Sequence, residues 1–282
     1  SDPAEGKALR QIDVGELVRS VDLHNNNILA GLRDGTILEI DSSDNKKEIM
    51  KSHSSGEAWG LAIADNDHFV TSGDDNKIFT WNMNDRKAVA HGEVCDEEAN
   101  PPAGGASSMT DFAPSQCARA VAVNSGGNGE VAVAHNDGRV TIRGGTTNLQ
   151  NIKHTMKDSQ EWIECMSYSP DGSKLAVGSH DNNIYIYGTE NYELLGKLDK
   201  HNSFIVSVDW SEDGEWIRSV CGAHELLFFR VENFEQDPSG ASNTVEVNWK
   251  TNSAKYGWLV TGIFPSGADG THINHVDFSN DG

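Results

Sequence analysis

One form recurs five times along this chain: an apolar strand, a tight polar turn and an alternating strand. The copies read LAGLRDGTILEI (29–40), FVTSGDDNKIFTW (69–81), VAVAHNDGRVTIR (131–143), LAVGSHDNNIYIY (175–187) and SVCGAHELLFFR (219–230). By spacing, Asp34, Asp75, Asp137, Asp181 and His224 hold the turn, at intervals of 41, 62, 44 and 43 residues. Three of these intervals match the ~40–45-residue period of a four-stranded propeller blade. The long interval contains PPAGGASS (101–108). Residues 95–115 are therefore predicted to be a loop insertion that leaves the period intact.

Each turn follows another strand of the same look, as in GLAIADNDHF (60–69), CMSYSPDGSKL (165–175) and VDWSEDGEWI (208–217). Period-two alternation broken by Asp-Gly and Asp-Asn turns means short antiparallel hairpins. No window carries a helical period. The fold class expected is all-β, a WD-repeat β-propeller built from radially repeated small sheets. The last residues, HINHVDFSNDG (272–282), repeat FIVSVDWSEDG (204–214) and read as the start of a sixth blade. Residues 10–282 are thus expected to be five blades and a stub of a larger, tandem propeller, with 231–271 an extended strand and inter-blade linker.

The stretch SGDDNKIFTW (72–81), with His53 upstream, raises the question of a hydrolase triad. A triad occurs once, whereas the aspartate turn recurs in four of five copies. His53, Ser72, Asp75 and Trp81 instead match the WD-repeat brace, a hydrogen-bonded set that fixes strand register from inside the blade. The brace is imperfect elsewhere: Ile40, Arg143, Tyr187 and Arg230 stand where this copy has Trp81.

Composition narrows the function. With 22 Lys and Arg against 43 Asp and Glu, the formal charge is −21, which repels nucleic-acid phosphates and anionic membranes. Cys95, Cys117, Cys165 and Cys221 have no C-x-x-C spacing and read as reduced thiols of an intracellular protein. No apolar run is long enough to span a bilayer. GGNG (126–129) lacks a phosphate loop's lysine, HNDG (135–138) and SEDG (211–214) lack the ligand count of a calcium loop, and His224-Glu225 has no second histidine. No catalytic residue, cofactor or metal site is expected. Trp162 suits packing at a strand start better than a partner surface, and the residues that bind a partner are not readable.

From about residue 160 the sequence becomes more specific. WIECMSYSPDGSKLAVGSHDNNIYIY (162–187), HNSFIVSVDWSEDGEWI (201–217) and above all VNWKTNSAKYGWLVTGIFPSGADGTHIN (247–274) resemble the second propeller of the echinoderm microtubule-associated protein-like (EMAP-like) family. The features that carry the resemblance are Trp249, the Gly262-Ile263-Phe264-Pro265 step and the run from Asp269 to Asn274. The resemblance implies a non-enzymatic, cytoskeletal interaction module associated with microtubules and tubulin, in the cytoplasm or the ciliary axoneme. The alternative is a generic WD scaffold that bridges other proteins without touching tubulin.

Overall fold

Alternating strands joined by turns too short for a crossover can only pair antiparallel with their neighbours, and the described residues fold this way five times over. The computed structural model describes residues 11–24, 27–54, 57–94 and 118–256. The first sheet is β1 (Val18–His24), β2 (Asn27–Leu32), β3 (Ile37–Ile40) and β4 (Lys46–Met50). The second is β5 (Ala58–Ile63), β6 (His68–Gly73), β7 (Lys77–Asn82) and β8 (Lys87–Glu93). The third is β9 (Ala118–Val123), β10 (Val131–His135), β11 (Val140–Arg143) and β12 (Ile152–Met156). The fourth is β13 (Ile163–Tyr168), β14 (Lys174–Ser179), β15 (Ile184–Gly188) and β16 (Leu194–Leu198). The fifth has three strands, β17 (Ile205–Trp210), β18 (Trp216–Cys221) and β19 (Leu226–Arg230). In every sheet the strands lie in chain order, the blade topology of a β-propeller. The insertion at 95–115 and the sixth repeat at 272–282 lie outside the described residues, as does most of the 247–274 motif.

The chain divides into two compact units, Ser1–Gly56 and Glu57–Gly282. The first holds the first sheet, with a core of Ala30, Leu32, Leu38 and Ile40. In the second unit the sheets pack through their first strands: β5 meets β9, β9 meets β13, and β13 meets β17. Backbones come close here. A methyl on Gly60 would sit 3.0 Å from the Val121 nitrogen of β9 and 2.3 Å from Ser72 Oγ, so only glycine fits.

Polar groups also tie the packed sheets. Trp210, wholly buried in the core between the fourth and fifth sheets, donates its indole hydrogen to the Ser167 carbonyl at 3.0 Å. Tyr192 donates to Glu130 at 2.6 Å, Lys153 reaches the other Glu130 oxygen at 2.7 Å, and the Tyr168 and Tyr192 hydroxyls lie 3.3 Å apart. Arg143, 1% exposed, donates to the carbonyls of Leu149 and Val94. Each of these donors has found an acceptor, which is what keeps such groups inside.

The recurrent turn is one structure. Oδ1 of Asp34, Asp75, Asp137 and Asp181 accepts the backbone N–H two residues on, at 3.1, 3.2, 3.1 and 3.1 Å. The residue after each aspartate takes a positive φ: Gly35 at 80°, Asn76 at 62°, Gly138 at 84° and Asn182 at 71°. Glycine and asparagine tolerate that region best. In the fifth sheet the positive φ falls on His224, at 64°. The alignment by spacing is thus one residue off there: Ala223 stands where the other sheets have aspartate.

Residues 231–256 are not a continuous extended strand. Asp237, Pro238, Ser239 and Gly240 are turn and cap formers, and they lead into α1 (Gly240–Asn243). Isolated bridges join Gln236 to Phe229 and Trp249 to Ser211. Between them the segment lies over the face of the fifth sheet that carries Trp216, Arg218 and Phe228, closing a small core with Trp249. Asp209, fully buried, fastens its end: Thr251 Oγ1, Ser253 N and Ser253 Oγ donate to one carboxylate oxygen, Arg218 Nε and Ala254 N to the other.

Candidate interaction surface

The first strand of every sheet starts irregularly. Pairing with the second strand skips one residue near its beginning, leaving Arg19, Trp59, Arg119, Glu164 and Val206 as β-bulge residues. A bulge re-aims the side chain it carries. A backbone bond also repeats beside it. The first turn residue after the second strand donates to the residue just before or at the start of the first strand: Arg33 to Leu17, Asp74 to Glu57, His180 to Trp162, Gly222 to Phe204. Bulge residues and turn residues are thereby gathered at one end of each sheet.

In the second unit this end carries a ladder of rings around one cation. The Arg119 guanidinium carbon lies 4.1 Å from the ring centroid of Trp59 and 4.2 Å from that of Trp162. Trp162 tilts against His180 at 5.4 Å, and His180 stacks on Phe204 at 4.7 Å. Gly222 backs Phe204 so closely that a methyl there would lie 2.5 Å from the ring. Trp59, Trp162 and Phe204 are 40%, 36% and 39% exposed, so the ladder is accessible rather than core. Each half-buried cation–π contact contributes about 0.5–2 kcal/mol, enough to hold the guanidinium in place without an ion pair.

The carboxylates beside the ladder are already engaged. Asp74 accepts the Trp59 indole N–H at 2.7 Å and the Glu57 N–H at 3.0 Å. Glu164 lies 3.1 Å from His180 Nε2. That hydrogen bond, helped by the charges of His180, Arg119 and Lys255, holds its carboxyl below the usual range against the opposing effect of burial. Arg119 itself has no acceptor among the described residues, and its Nε is buried without one.

The residues expected to form the brace are distributed as follows. Ser72 is fully buried and its Oγ donates to the Ala118 carbonyl of the third sheet at 3.1 Å. Asp75 accepts the Lys77 N–H, and the Trp81 indole donates to Thr71 Oγ1 at 2.7 Å while packing on Phe69 and Phe79. His53 belongs to the first unit. A histidine–serine pair of the expected kind occurs in the fifth sheet, where His201 Nε2 and Ser219 Oγ, both buried, lie 2.7 Å apart.

Among the described residues one group, His201, Cys221 and Glu225, brings metal-ligand atoms within 4.8 Å of one another. Its hydrogen bonds read as a brace. Cys221 Sγ donates to Glu225 Oε2 at 3.2 Å, and His201 Nδ1 lies 3.5 Å from the same carboxylate. Burial raises the Cys221 thiol, keeping it protonated. The backbone and side-chain N–H groups of Asn202 pull Glu225 down to about 2.

Sequence reasoning placed Trp162 at a strand start, where it is, but not its ring partners. Arg119 carried a signal in ARAVAV (118–123), a lone cation in an apolar strand. Phe204 and Trp162 occupy the same place in FIVSVDW and WIECMSY, one residue before each strand.

Repeated blade sheets with left-handed Asp-Gly or Asp-Asn turns define a WD-repeat β-propeller protein. Residues 58–282 match the family model described as Echinoderm microtubule-associated protein second beta-propeller. The chain is 71% identical over all 282 residues to the Ciliary WD repeat-containing protein ctxp80 of Euplotoides octocarinatus, covering 39% of that protein. It is 35% identical over 256 residues, 89% of its length, to Echinoderm microtubule-associated protein-like 1 of Mus musculus, covering 28% of it. Over 231 residues, 80% of its length, it is 36% identical to the mouse Echinoderm microtubule-associated protein-like 2, covering 32% of it. The chain belongs to the EMAP-like family and spans well under half of each of these relatives.

Proposed function

We propose that this chain is a non-catalytic interaction module of a microtubule-associated, ciliary scaffold, and that it docks partner proteins on the ladder of Trp59, Arg119, Trp162, His180 and Phe204. The ladder carries the reading. Large half-open rings on a rigid frame lose little entropy on binding, and Trp and Arg dominate interface energetics. Family membership supplies the setting, since the relatives are named for microtubules and for cilia. His53, Ser72, Asp75 and Trp81 are on this reading parts of the scaffold. A serine with no exposure whose hydroxyl donates to a backbone carbonyl is a poor nucleophile.

At a formal charge of −21 the module would bind through a local contact rather than bulk attraction. Co-pelleting of the 282-residue chain with microtubules across a salt series tests this. The expected result is saturable pelleting that survives moderate salt and falls about tenfold in Trp162→Ala. A folded chain that stays in the supernatant would leave a scaffold whose attachment to microtubules lies elsewhere in the protein.

A further inference from the structure

We infer that Arg119 is a carboxylate-binding site and that the ladder docks an acidic peptide segment of a partner; this rests on the reading of the ladder as an interaction surface. Three observations converge on it. The guanidinium carbon lies 4.1 Å from the Trp59 ring centroid and 4.2 Å from that of Trp162, so two rings take up most of its surroundings and the space left for a ligand is narrow. No acceptor among the described residues takes those hydrogens, and Nε is buried without a partner. The two nearby carboxylates are turned to other donors, Asp74 to the Trp59 indole and the Glu57 N–H, Glu164 to His180.

A partly buried charge held between two rings, with no hydrogen-bond acceptor among the described residues and Glu164 acting on it only through its field, is incomplete by the rule that buried ions are paired. What completes a guanidinium edge is a planar, two-oxygen anion accepting two parallel N–H bonds. A Glu or Asp side chain or a peptide C-terminus has that shape. Flanking residues of such a peptide would meet Trp162 and Phe204, whose exposed rings give apolar contact on one side of the carboxylate. Phosphate would fit the same fork, but a polyphosphate chain would meet the full charge of −21, whereas a short peptide with a few carboxylates meets far less repulsion. Lysine at position 119 would keep the charge and lose both the fork and the stacking.

The probe is a fluorescein-labelled octa-glutamate peptide titrated with the 282-residue chain and read by anisotropy, with the indole emission of Trp59 and Trp162 as a second signal. The expected result is saturable binding that weakens about tenfold or more in Arg119→Gln and several-fold in Arg119→Lys, with circular dichroism melts lowered only by the few degrees that two lost cation–π contacts cost. Equal binding by wild type and Arg119→Gln, equal binding of an octa-glutamine peptide, or no binding at millimolar peptide overturns the proposal. Tighter binding of an oligonucleotide than of octa-glutamate overturns the carboxylate assignment. Should Arg119→Gln melt early, Trp162→Leu, which opens one side of the clamp, must show the same loss. Arg119-dependent peptide binding in a chain that ignores microtubules would sustain this inference and sink the microtubule reading. Undiminished pelleting of an Arg119→Gln chain that has lost peptide binding would place the microtubule contact away from Arg119 and sustain both readings separately.

Discussion

His135 closes the second strand of the third sheet with no exposure at all, its Nε2 3.1 Å from Thr141 Oγ1 and its Nδ1 without a partner. Burial first, then the charges of Arg139 and Arg143, push its pKa down to about 3, with Asp137 opposing. A neutral imidazole is what this place accepts. Unfolding restores an ordinary value near 6.5, so the unfolded chain binds the extra proton first. The contribution of His135 is whole above pH ~6.5 and shrinks as pH falls towards 3, by about 1.4 kcal/mol per pH unit. Urea unfolding at pH 7 and pH 5 should differ by about 2 kcal/mol more in wild type than in His135→Gln. Equal differences would mean that other groups carry the acid sensitivity. The histidine is visible in HNDG as a residue next to a turn; its neutrality is not, because it comes from strands and charges brought up by the folded sheet.

The fifth sheet shows what an element owes to its neighbours. Its strands were legible from alternation, and its turn from an analogy of spacing that missed by one residue, since Ala223 cannot make the aspartate bond and His224 takes the left-handed position. Its covering segment was not legible. Asp209 lies in an apolar strand, VSVDW, where an acid looks out of place until its five donors are counted, four of them from residues 251–254 and one from Arg218. Asp209→Ala removes the one carboxylate paired with Arg218 among the described residues, leaves that guanidinium short of its charge partner and frees the 249–254 crossing. The loss should be about 3–5 kcal/mol in chemical denaturation. Loss below about 1 kcal/mol would show that packing by Trp249, not the hydrogen-bonded hub, holds the segment down.

For the molecule as a whole, the formal charge of −21 works against compactness, because folding brings like charges together. Raising salt from 10 to 300 mM shortens the screening length from about 30 Å to under 10 Å. The melting temperature should rise by a few degrees over that range; a flat or falling curve would mean that ion pairs such as Lys153–Glu130 outweigh the repulsion. The same charge works against binding by a broad electrostatic field, so the binding proposed for the arginine between its two rings would have to be a local contact. By itself the sequence determined the all-β class, the repeat and its period, the Asp-centred turns and the family, because each is written in local periodicity, local backbone preference or a contiguous motif. Only the tertiary structure decided where Arg119 sits, what Asp209 binds and how residues 231–256 cover the fifth sheet. Those depend on residues from separate strands and segments meeting in space, and period-two alternation says which face a side chain takes but never which side chain of another element it will find there.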